Sequence, residues 1–202
     1  MRFRVLNRDP LYDYREACKI TQGVDLELQN TFFTPKDNDM TAYWIKQIVA
    51  NHSTLRSVHF RLVDTRPKSV IMQIIRATKG HPQPEVQSSR PDWTGVERSF
   101  DPYEDKLFMQ DHNAESFIEM AKQRLCEKTE KRTRDFMWEM VETLKADKRN
   151  PFLQAVGYCC RPSCWWHNGK CPELKSCHEG IAKLSDEIIR QYKEDNNDGS
   201  VQ

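Results

Sequence analysis

Between Ser57 and Arg76 the hydrophobic pattern changes its period at a single proline. Val58, Phe60 and Leu62 point one way and His59, Arg61 and Val63 the other, which is the period of a strand with one mostly polar face. Pro67 interrupts the alternation. Proline has no amide hydrogen and a fixed φ, so it suits the first turn of a helix. The apolar run Val70 to Ile75 then predicts a short helix over 69–76.

Other helices follow from apolar residues that recur with helical spacing. Met40 to Ala50 places Trp44, Ile45, Ile48 and Val49 on one face, with Asp39 or Thr41 as its cap. Asn113 to Leu125 gathers Ala114, Phe117, Ile118, Ala121 and Leu125. Thr129 to Lys145 turns Phe136, Met140 and Leu144 inward, and Ile181 to Tyr192 reads as a terminal helix. Residues 1–38 are mixed, with Pro10 and Pro35 as breakers. Residues 77–102 read as a long loop, and Glu194 to Gln202 as a frayed tail.

Hydrophobic residues make up only 38% of the 202 and charged residues 30%, so another subunit is expected to complete some of the apolar surface. Five Trp, six Tyr and nine Phe argue against disorder. The net charge of +1 gives no global field for nucleic acid or a membrane surface. The first eight residues lack the apolar core of a signal peptide, and no apolar run approaches the roughly 20 residues that span a bilayer. The expectation is a soluble cytoplasmic protein without nucleic-acid or membrane partners.

Five of the seven cysteines crowd into 159–177, and an odd count argues against a secreted disulfide scaffold. Cys160, Cys164, Cys171 and Cys177, with His167 and His178 nearby, offer enough soft ligands for a tetrahedral zinc site. The first reading is a structural zinc held by Cys164, Cys171, Cys177 and either Cys160 or His167. The alternative is a set of buried free thiols. A zinc-stabilised nucleic-acid binder would need more basic residues than Arg161, Lys170 and Lys175 provide.

Three separated motifs occur in a specific order. His52-Ser53-Thr54 precedes the strand, Pro67 and Gln73-Ile74-Ile75-Arg76 follow it, and Ser88-Ser89-Arg90 closes the loop. Asn113-Ala114-Glu115-Ser116-Phe117 runs on to Gln123-Arg124. Pro162-Ser163-Cys164, Cys171-Pro172-Glu173 and Cys177 form a looser third stretch. This series resembles the flavin-dependent thymidylate synthases, well over roughly 40–125 and loosely over 150–178. It departs from them where Arg-His-Arg is replaced by Arg76-Ala77-Thr78, where the helix Arg is Glu115, and where Glu85 is shifted by one position.

The resemblance implies an α+β fold, a curved and mostly antiparallel sheet packed by helices, over 1–155, with a Cys-rich segment and terminal helix over 156–202. It implies C5 one-carbon transfer, methylation or hydroxymethylation, on a pyrimidine deoxynucleotide such as dUMP. Ser88 and Arg90 would hold the 5′-phosphate of the nucleotide, Glu85 would also bind the substrate, Gln73 would read the uracil edge, and Arg124 would polarise the ring as the catalytic residue. His52, Arg76 and Asn113 match flavin positions, and Lys79 and His81 lie in the lengthened loop within reach of a pyrophosphate. The implied cofactors are FAD, methylenetetrahydrofolate and NADPH, in a homotetramer whose active site lies between subunits. The alternative is a nucleotide-binding homologue that has lost the flavin redox step.

Overall fold

A computed structural model describes residues 1–21, 39–51, 53–77, 84–88, 90–95, 97, 100–167, 171 and 184–197. Four antiparallel strands, β1 (Arg2–Val5), β2 (His59–Pro67), β3 (Glu85–Val86) and β4 (Asp105–Asn113), form one sheet in the order β1-β2-β4-β3. The expected alternation holds in β2, where Phe60 and Leu62 are buried together with Val58 just before it. β2 pairs with β4 along its whole length, from His59 opposite Asn113 to Pro67 opposite Asp105.

The expected helices are present as α2 (Met40–Ala50), α3 (Lys68–Ala77), α5 (Ala114–Arg124) and α6 (Lys131–Lys145). Asp39 caps α2 by accepting from the Ala42 amide at 3.0 Å. Several segments differ from the sequence reading. Pro10 opens α1 (Pro10–Thr21) instead of breaking the chain, and Asp9 accepts from the amides of Leu11 and Tyr12. The 77–102 stretch holds β3 and the short α4 (Pro91–Thr94). β4 was not expected at all. Nor was α7 (Pro151–Cys159), so the expected division after residue 155 falls inside a helix. After the short α8 (Ser163–Trp166), α9 (Leu184–Asn197) runs into the stretch expected to fray, and its Asp195 accepts from the Tyr158 hydroxyl at 3.0 Å.

The helices cover the sheet's inner face, giving an α+β architecture. α7 is buried from Phe152 through Cys159 and packs against both α2 and α6. Trp44 of α2 meets Phe152 edge-on at 5.0 Å, and Thr41 donates to Gln154 at 2.8 Å. At Gly157 the approach to α6 is so close that a Cβ would lie 2.8 Å from the Lys145 backbone nitrogen. No helix among the described residues is long and apolar enough to cross a membrane.

Candidate functional site

A cleft of about 680 Å³ opens where α3, the end of α5 and the segment after α7 meet. Gln73 lines it from α3, residues 122–130 from α5 and the turn that follows, residues 162–165 from the third side, and Cys171 completes the lining. Local hydrogen bonds fix the turn. The Thr129 amide donates to the Cys126 carbonyl at 2.9 Å, and the Thr129 hydroxyl to the Gln123 carbonyl at 2.8 Å. Glu130 is committed to capping α6, accepting from the amides of Arg132 and Thr133 and from the Thr133 hydroxyl. Those donors, the Thr133 amide first, hold its carboxyl below the usual range.

With Glu130 engaged, the cleft's character is set by Arg124. Its Nε is buried and makes no hydrogen bond, and the side chain forms no ion pair among the described residues. Burial, and then the like charge of Arg76, push this guanidinium down from its ordinary value. A cation in that condition gains from an anion or a strongly polarised oxygen. Lys122, at the rim, is paired with Glu119 and lies 4.3 Å from the Trp166 ring centre.

The structure therefore brings Gln73 and Arg124 together, with Arg76 exposed nearby on the last turn of α3. It does not bring Glu85, Ser88 and Arg90 into the cleft of the same chain. Glu85 is exposed on β3. The Ser88 hydroxyl accepts from the Arg90 amide at 3.1 Å, and the Arg90 guanidinium grips Asp92 through two bonds. Asn113 is buried, and its carboxamide oxygen caps α5 by accepting from the Ser116 amide at 3.0 Å. Glu115 is neutralised by Arg56 through a forked ion pair. His52, Lys79, His81 and Cys177 lie outside the described residues.

The cysteines divide. Cys164 and Cys171 line the cleft with Cys126, whereas Cys160 is packed into the core. Burial pushes its thiol up to about 12. His167 sits exposed at the end of α8. Among the described residues no group of three or more His, Cys, Asp or Glu side chains is placed to hold a metal ion.

Sequence reasoning missed Trp165, Lys128 and Thr129 as cleft residues. The adjacent indoles Trp165-Trp166, beside the cysteines, were the available signal. Thr129 and Lys128 lie where the resemblance ends and carry no motif of their own. Comparison of the chain with protein-family models, with curated proteins and with solved structures finds no match.

Proposed function

We propose that the cleft binds a pyrimidine deoxynucleotide such as dUMP and that the chain acts at C5 of its base by one-carbon transfer. The observation that carries this reading is the meeting of Gln73 and Arg124, from separate helices, in one cleft. An amide presents a donor and an acceptor together, which complements the alternating edge of uracil. Addition of hydride at C6 drives negative charge through C5 onto the O4 carbonyl oxygen, and the enolate so formed carries C5 onto an electrophilic one-carbon unit. A half-buried guanidinium with no ion-pair partner among the described residues is suited to that oxygen, because a fixed charge in a water-poor site needs no reorganisation as the charge develops. Ser88 and Arg90 would then contact the phosphate from a second protomer, in keeping with an active site between subunits.

Reduced flavin, when bound, would supply the hydride in such a reaction. The described residues do not form the cationic set that a pyrophosphate takes, since Glu115 carries the opposite charge and Asn113 is engaged in its cap. These two observations favour the second reading, a nucleotide-binding homologue that has lost the redox step.

Calorimetric titration with dUMP tests the site. Arg124→Ala should weaken binding by about 1.5–3 kcal/mol, the worth of a charged hydrogen bond. An unchanged affinity overturns the assignment. In the same preparation, thymidylate formation from dUMP with methylenetetrahydrofolate, NADPH and added FAD separates the two readings. Binding without turnover or flavin uptake selects the second.

A further inference from the structure

The cleft wall formed by α8 has an unusual construction. α8 is only four residues long and has no side-chain cap, so it cannot hold its own orientation. Its two indoles are instead pinned by cations from either side. Lys122 of α5 lies 4.3 Å from the Trp166 ring centre, and the Arg161 guanidinium carbon lies 5.3 Å from that of Trp165. Both distances fall in the range of attraction between a cation and a ring face.

Arg161 is only 5% exposed. Its Nη2 donates to Gln191 of α9, its Nε has no hydrogen-bond partner, and no carboxylate among the described residues bonds it. Burying a guanidinium on such terms is costly, and its ring contact is with an indole that lines the cleft. Gln73 and Arg124 can read the edge of a flat ring, but edge contacts alone leave its faces unsupported.

We propose that Trp165 is the wall on which the ligand's base packs face to face, and that Arg161, tethered to α9 through Gln191, is the positioning residue that holds this ring in place. The inference rests on the reading of the cleft as a pyrimidine nucleotide site and adds to it a contact for the heteroaromatic ring. Aromatic walls of this kind tolerate any flat base, so Trp165 contributes affinity while Gln73 and Arg124 select the edge.

The test compares dUMP with 2-deoxyribose 5-phosphate, which has the same sugar and phosphate but no base. Calorimetry is run on the full chain and on Trp165→Ala, Trp165→Phe, Arg161→Met, Arg161→Lys and Arg124→Ala, with thermal midpoints recorded for each. Trp165→Ala is expected to weaken dUMP about tenfold or more and to leave deoxyribose 5-phosphate unchanged. Trp165→Phe should keep most of the affinity but lose the quenching of tryptophan emission by dUMP. Arg161→Met should weaken dUMP selectively, and Arg161→Lys should restore part of the loss. Equal weakening of both ligands, or no weakening of dUMP, overturns the proposal. If dUMP binds and Arg124→Ala weakens it while Trp165→Ala does not, the nucleotide reading stands and this inference fails. If the unmodified chain binds no dUMP, both fail.

Discussion

Arg161 is buried without a hydrogen-bonded carboxylate among the described residues, whereas Glu104 shows the opposite arrangement. It sits between Lys106 at 2.7 Å and Lys68 at 2.8 Å. Hydrogen bonds from Lys106 and then Lys68 lower its pKa from 4.5 to about 2. Because the folded value lies below the ordinary one, the stability this carboxylate contributes is fully present above pH 4.5. It is lost as the pH falls toward about 2. Glu104→Gln should therefore flatten the acid limb of a plot of thermal midpoint against pH in that window. An unchanged slope would show that the pair of lysines does not hold the carboxylate in solution. The resemblance led to Arg124, whose residue type and helix-terminal place could be read directly. Its missing partner could not, because pairing depends on which side chains the fold brings near.

The contact between α7 and α6 hinges on the absence of a side chain. An alanine Cβ at position 157 would fall 2.8 Å from the Lys145 nitrogen and 3.0 Å from the Leu144 Cβ, both inside the normal contact distance and both hard to move. Gly157→Ala should cost about 1–3 kcal/mol through overpacking, read as a lowered denaturation midpoint. A neutral or stabilising result would mean that the helices can slide apart without loss. Amphipathic helices such as α5 and α6 were legible because their buried faces are apolar. α7 was not, since nearly every side chain on it is buried and no periodicity remains. β4 was hidden for another reason. Its inward face carries Lys106, Phe108, Gln110 and His112, whereas Leu107 on the outward face is half exposed. The apolar alternation one would look for lies on the wrong side, and Gln110 and His112 are buried by their place beside β2 rather than by their hydropathy.

A single apolar cluster runs from Tyr14 of α1 through the sheet's inner face to Ile188 of α9. Ile188→Ala should thus cost about 2–5 kcal/mol and shift one cooperative transition, with tryptophan emission and far-ultraviolet circular dichroism changing together. Separate transitions for the two signals would show that α9 melts on its own. At this scale the α+β class was anticipated through the resemblance, and the strand and helix periods on either side of Pro67 agree with it. The joining of Gln73 to Arg124 was anticipated only through the resemblance. The separation of Ser88 and Arg90 from that cleft was not, because distance between loops in one chain leaves no periodic trace.

The pairing of α2 with α7 also sets a schedule for the chain as it is made. The indole of Trp44 packs on Phe152, and the Thr41 hydroxyl reaches a partner 113 positions later. At translation rates of about 5–20 residues per second, roughly 6–23 s pass before that partner has been synthesised. During that interval the Trp44, Ile45 and Ile48 face has no native cover from α7, so the nascent protein is exposed to aggregation, and to chaperone capture, until α7 has emerged.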